Sequence, residues 1–281
     1  MEILYGLHPV EEALRSGSRK FDHVCVARER HDLRLERLID ACRENGVRVR
    51  PESRDELTRL AKTPGHQGVV AIVRSREFLD LEDLLDSPEP GGPEPDGSQP
   101  EPPTSRLLLA LDGIEDPQNL GALLRSADAS GVDGVIITER RAAPLSAVAV
   151  KASAGAAEHV RIARVVNLVR ALEQLKERNI WCVGLDERGT SSYDEYDFTS
   201  NTVIVLGREG DGLHDLVRRT CDHLLQIPMA GRVASLNVSA AGAVVMFEAA
   251  RQRRLAKNAV AAQPAPAAQK ASRRERKGLG S

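Results

Sequence analysis

Residues 87–104, SPEPGGPEPDGSQPEPPT, constrain the fold of this 281-residue chain more than any other stretch. They hold seven of its 15 prolines and no strongly apolar side chain, so the segment cannot enter a core and is expected to act as a semi-extended spacer. The chain must then fold as two units, and its length lets each bury a core. The expected division is a first folded unit over 1–80 and a flexible acidic linker over 81–104. A second unit follows over 105–256, with a disordered basic tail over 257–281.

A formal net charge of -2 looks wrong for a nucleic-acid partner, which demands local positive potential. The charge is segregated, however. The linker carries Glu89, Glu94, Asp96 and Glu101 with no base, whereas the tail carries Lys257, Lys270, Arg273, Arg274, Arg276 and Lys277 against Glu275. Aromatic residues make up 3% of the chain, which argues against a surface that stacks several bases. Any RNA contact must rest on Arg, Lys and shape. Cys25, Cys42, Cys182 and Cys221 are scattered without CxxC or nearby His spacing, so neither a metal site nor a disulfide framework is expected. No apolar run approaches the roughly 18 residues that cross a bilayer, and MEILYGLHPVEEALRSG has no leader pattern. A cytoplasmic protein is expected.

In the first unit His8 and Pro9 open a helical pattern, HVCVA reads as a strand, and Leu33 to Glu44 place Leu35, Leu38, Ile39 and Cys42 on one helical side. VRVRP is a short strand, Ser53 and Glu56 have capping-box spacing before a helix to Ala61, and GVVAIVR after His66 is the last strand. In the second unit LLLALD, VIIT, WCVGLD, TVIVLG and LLQIP alternate with helical segments, including Asn119 to Ser130 and an Ala-rich helix ending near Arg254. That alternation implies an α/β fold with a parallel sheet covered on both faces.

GREGDG, Gly207 to Gly212, follows a strand but fits neither the dinucleotide fingerprint nor the phosphate loop. Alone, it reads equally well as a strand-to-helix turn. Three stretches taken together are more specific: DPQNLGALLRSADASGV (Asp116 to Val132), VLGREGDGL (Val205 to Leu213) and IPMAGRVASLNVSAAGAV (Ile227 to Val244). In order and spacing they resemble the signature motifs of the SpoU/TrmH branch of SPOUT methyltransferases, and the resemblance continues through KASAGAAE. Upstream, YGLHPVEEAL and HQGVVA are similar to the substrate-binding domain of the bacterial members that methylate a guanosine ribose in large-subunit ribosomal RNA. The linker is longer than that family's pattern and the basic tail is an addition.

The resemblance implies a SPOUT domain with a deep trefoil knot behind a small L30e-like RNA-binding domain, working as a homodimer whose active site draws on both subunits. It implies S-adenosylmethionine as methyl donor, no metal, and a ribose 2′-hydroxyl of RNA as acceptor. Gly207, Ile227, Met229 and Leu236 fall on the cofactor loops. Asn119, Arg125, Glu209, Ser235 and Asn237 fall on the polar catalytic positions. Arg125 is the family position tied to activating the hydroxyl. Because an Arg stays protonated, we expect it to anchor the neighbouring phosphate rather than act as a base.

Plainer readings stand beside these. Outside its motif Arg125 would be a solvated helix charge. Asn119 sits where an N-cap would, Ser235 and Asn237 also precede a helix, and Glu209 could be a turn acid beside a helix start. His8 and His66 lie in the stretches resembling the RNA-binding domain and read either as RNA contacts or as structural hydrogen-bonders. Asp186, His159, His214 and His223 complete no triad. Transfer RNA as substrate, or a non-catalytic RNA-binding or ribosome-assembly protein, are the competing functions.

Overall fold

The computed structural model describes residues 1–86, 105–140 and 142–261. In the first unit β1 (Glu2–Tyr5), α1 (Leu7–Ser16), β2 (Phe21–Ala27), α2 (Leu33–Glu44), β3 (Arg48–Glu52), α3 (Arg54–Ala61) and β4 (Val69–Val73) follow in turn. The sheet order is β1-β4-β2-β3, parallel only between β2 and β3. The helix starts follow from their caps. Asp32 accepts from the N–H groups of Arg34 and Leu35, both at 3.1 Å. Ser53 Oγ accepts from Glu56 N–H at 3.2 Å, as its spacing predicts. β1 is the strand that the sequence reading passed over, because EILY is short and lacks a turn before it.

The second unit comprises α4 (Leu81–Asp86), β5 (Leu107–Leu111), α5 (Pro117–Ser130), β6 (Gly134–Thr138), α6 (Ala147–Ala152), β7 (Ile162–Val165), α7 (Leu168–Glu177), β8 (Trp181–Leu185), β9 (Ser191–Ser192), β10 (Thr202–Leu206), α8 (Asp215–Thr220), β11 (His223–Gln226) and α9 (Val238–Ala261). Its seven strands run β7-β6-β5-β10-β8-β11-β9, every pairing parallel. The central strands LLLAL and TVIVL are buried at every residue, as a sheet covered on both faces requires. Side chains alternate between the layers. Leu107, Leu109 and Leu111 join the core formed with α5 and α9, whereas Leu108 and Ala110 join the one formed with α4, α7 and α8. α5 crosses α6 so closely that a Cβ on Gly121 would lie 2.4 Å from the Ala149 carbonyl oxygen, leaving room for no other residue.

Two expected boundaries shift. Residues 81–86 are helical rather than linker, and Leu81, Leu84 and Leu85 are buried in the second unit's core. Leu79 already bridges Ala163 beside β7. Apolar burial thus draws the chain into the second unit before the proline-rich segment. At the other end α9 continues past Arg254 to Ala261, so 257–261 extend a helix. The remaining linker residues, 87–104, and the tail from 262 onward lie outside the described residues.

The units share an interface. Arg19, with a side chain 1% exposed, donates from Nε to Glu158 Oε2 at 2.8 Å and from Nη1 to Glu2 Oε2 at 2.6 Å. Burial opposes its charge, but the Glu158 and then the Glu2 carboxylates outweigh that and raise its pKa. Lys151 Nζ donates to the Gly65 carbonyl at 2.9 Å and lies over the Tyr5 ring.

Candidate active site

The three motif loops meet at the carboxyl ends of the parallel strands, where open α/β sheets bind ligands. The loop after β5 turns into α5 at Asp116, whose side chain accepts from Gln118 N–H at 3.0 Å, with Pro117 at the first helical position. Asp116 is therefore the cap. Asn119, expected at the N-cap, lies inside the first turn and is 7% exposed, free to make long-range bonds.

After β10 the chain reverses tightly, Arg208 and Gly212 exchanging backbone hydrogen bonds of 3.0 Å in each direction. Gly207 permits this, since a Cβ there would lie 2.2 Å from the Gly212 carbonyl carbon. The turn holds Glu209 beside the third loop. Asn119 Nδ2 donates to Glu209 Oε2 at 3.2 Å, and Asn237 Nδ2 donates to Asn119 Oδ1 and Glu209 Oε1, both at 3.0 Å. One closed ring of hydrogen bonds thereby ties all three motifs together. Asn237 has a second task, because its Oδ1 accepts from Ser239 N–H at 2.9 Å and caps α9. Capping and site formation are one arrangement.

Beside the ring opens a cleft. Gly207, Ile227, Met229 and Leu236 all line it, as does Ser235. Ser235 is exposed and makes no side-chain hydrogen bond among the described residues, so the structure does not join it to the ring. Leu185, Leu206 and Ile227 give the cleft apolar walls, and Asp186, Glu187, Glu209 and Asp211 give it carboxylates. That lining fits a flat base, ribose hydroxyls and a cationic sulfonium, three of the parts of S-adenosylmethionine.

Arg125 stands apart. It is exposed on α5, does not line the cleft, and has no hydrogen bond or ion pair among the described residues. The RNA-contact reading of His66 is corrected. The residue is 3% exposed, its Nδ1 accepts from Gly68 N–H at 3.0 Å and its Nε2 meets Thr58 Oγ1 at 3.1 Å. Both ring nitrogens are engaged, so His66 holds the turn before β4. Burial lowers its pKa. His8 remains exposed on α1, 3.6 Å from Glu11. Burial pushes the Cys182 and Cys221 thiols up to about 12, which leaves no thiolate nucleophile there at neutral pH.

Sequence reasoning passed over Asp186, naming it only among groups that complete no triad. It is 8% exposed, accepts from Arg188 N–H at 2.9 Å and faces the cleft. Its signal was positional, an acid directly after the parallel strand WCVGL. Arg208, next to Glu209, was missed as well.

Residues 106–247 match the model of the SpoU rRNA Methylase family, and residues 3–79 match that of RNA 2'-O ribose methyltransferase substrate binding. The chain belongs to the SpoU rRNA methylase family. Among its relatives in this family, the 23S rRNA (guanosine-2'-O-)-methyltransferase RlmB of Vibrio cholerae is 42% identical, over 90% of this chain and 97% of that protein. The enzyme of the same name from Escherichia coli K12 is 41% identical, over 90% and 99%. The crystal structure of the SpoU methyltransferase AviRb from Streptomyces viridochromogenes, in complex with the cofactor AdoMet, superposes with a TM-score of 0.72 at 26% identity, covering 90% of each chain. The chain joins an N-terminal unit matched by the substrate-binding model to a parallel-sheet domain matched by the methylase model.

Proposed function

We propose that the protein transfers a methyl group from S-adenosylmethionine to the 2′-hydroxyl of a guanosine in 23S ribosomal RNA. The observation that carries this reading is the Asn119, Glu209 and Asn237 ring bordering a cleft of apolar walls and carboxylates. When bound, the cofactor supplies an electrophilic methyl on a cationic sulfur. The chain supplies alignment, which matters because reacting atoms must be held about 3–3.5 Å apart. Both Glu209 oxygens accept from amides, so the carboxylate is held in one orientation and can accept a hydrogen bond from the ribose hydroxyl. The amides keep the loop tips from separating.

Arg125 has a different part in the proposal. Always protonated, it suits the phosphate next to the target ribose. Its exposure and its absence from the cleft support a homodimer in which it serves the partner's site. The convergence of the loops after β10 and β11 on one cleft supports the trefoil knot that the motifs imply. Relatives covered along nearly their whole length act, by name, on 23S rRNA, which favours ribosomal over transfer RNA and a catalytic over a purely binding role. Among the described residues no helix is long and apolar enough to cross a membrane, and action on ribosomal RNA supports a cytoplasmic setting. Incubation with labelled S-adenosylmethionine and 23S rRNA tests the proposal, since it requires label in RNA as a 2′-O-methylguanosine.

A further inference from the structure

The same strand-end edge carries a second groove beyond the cofactor cleft. It lies beyond the ends of β5, β6 and β7, with an apolar side from Val166, Leu168, Leu216 and Val217 and polar groups from Asp112, Thr138, Arg140, Asn167 and His214. Its charged groups differ from those of the cleft. The cleft holds four carboxylates, whereas the groove holds only Asp112, and that one is occupied. Asp112 is 5% exposed, and its oxygens accept from His214 N–H at 2.7 Å and pair with His214 Nδ1 at 2.9 Å. The imidazole is thus clamped at backbone and ring, and Nε2 keeps no partner among the described residues. The neighbouring acid on α8, Asp215, is paired with Arg218 at 2.5 Å.

Gly113 joins groove to cleft. A Cβ there would lie 2.9 Å from Arg208 Cγ and 3.3 Å from His214 Cε1, so these two side chains stand next to each other at the divide. Arg208 lines the cleft beside Glu209. Its Nε is buried without a partner, and its Nη2 reaches only Asp211, at 3.4 Å. A buried donor without a partner is unfavourable until one arrives, and the guanidinium's planar fork suits an anion such as phosphate. Arg140 is exposed on the far side of the groove and has no pairing among the described residues.

We propose that Arg208, His214 and Arg140 form a subsite for the RNA backbone phosphates that flank the target ribose. The inference rests on the ribose-methylation reading above and adds the path of the strand, from the cleft across Gly113 into the groove. Arg208 and Arg140 neutralise phosphate charge, and His214, its ring fixed by Asp112, contacts the backbone between them. The groove's lack of a free carboxylate directs the polyanion here and away from the acidic cleft.

The test uses the full chain and variants Arg208→Gln, Arg140→Gln and His214→Asn, with melting temperatures to confirm folding. Binding of an rRNA fragment is measured across a salt series, and S-adenosylmethionine binding is measured calorimetrically without RNA. Each Arg variant is expected to weaken RNA binding about tenfold and to reduce the slope of log affinity against log salt by about 0.7, and Arg140→Gln, outside the cleft, is expected to keep cofactor affinity at the parent value. His214→Asn is expected to weaken RNA binding with no change in that slope larger than an Arg variant gives. Parent-like RNA affinity and slope in both Arg variants would overturn the subsite. A weakened cofactor with an unchanged salt slope in Arg208→Gln would overturn it too, assigning that cation to the cofactor's carboxylate. Absence of methyl transfer to RNA by the parent would instead remove the reading on which the subsite rests.

Discussion

Asn237 both caps α9 and closes the site ring, and Asn237→Asp separates the two tasks. Aspartate keeps the acceptor that caps Ser239 N–H, so the cap's contribution of about 1 kcal/mol survives. It removes the amide that donates to Asn119 and Glu209 at 3.0 Å and places a second carboxylate there. Two unit charges at that separation repel by about 1.4 kcal/mol in bulk water and about 5.5 kcal/mol at an effective dielectric of 20. Glu209 is exposed, so the cost lies towards the lower figure, about 2 kcal/mol. The loop tips should part, and misalignment should slow methyl transfer by about 10²-fold. Urea denaturation and single-turnover transfer to rRNA are the assays, with Asn237→Ala alongside. Combining Asn237→Asp with Glu209→Gln exchanges amide and acid and should recover much of the stability. If Asn237→Asp transfers methyl like the parent while Asn237→Ala loses both stability and rate, Asn237 is a helix cap and the ring has no role in catalysis.

Arg125→Ala should leave cofactor affinity intact while lowering the single-turnover rate sharply, and Arg125→Lys should restore little, since an ammonium lacks the planar fork; a near-normal rate for Arg125→Ala would remove it from the mechanism. Glu158→Gln takes one partner from the buried Arg19, and urea midpoints should show a loss near the lower end of the roughly 3–5 kcal/mol typical of such breaks, because Glu2 remains. A loss below about 1 kcal/mol would show that the inter-unit pair contributes little. His66 has a folded pKa lowered by burial, so the unfolded chain binds its proton more readily. Its contribution to stability is full above the unfolded His value near 6.5 and is lost as pH falls below it. His66→Gln should flatten that part of the stability profile.

How much of this was legible follows from what each signal encodes. Long apolar strands such as LLLAL and TVIVL declared a parallel sheet because burial on both faces leaves no polar alternation. The motifs placed Asn119, Glu209 and Asn237 in one site, but a linear pattern carries no distances, so the closed ring and the demotion of Asn119 from cap to bonding partner required coordinates. β1 and β7 have four residues each, too few to display a period. Helix α4 escaped notice because the proline-rich neighbour dominated its stretch. His66 read equally as an RNA contact or a structural hydrogen-bonder in sequence, since nothing along the chain reveals that Thr58 and Gly68 satisfy both its nitrogens.

The central claim is tested most directly by methylating 23S rRNA with labelled S-adenosylmethionine and mapping the product at nucleotide resolution. The account predicts one guanosine carrying a 2′-O-methyl group, and no label once that residue is replaced by its 2′-deoxy counterpart. Label on a base, or label that survives loss of the hydroxyl, would contradict it.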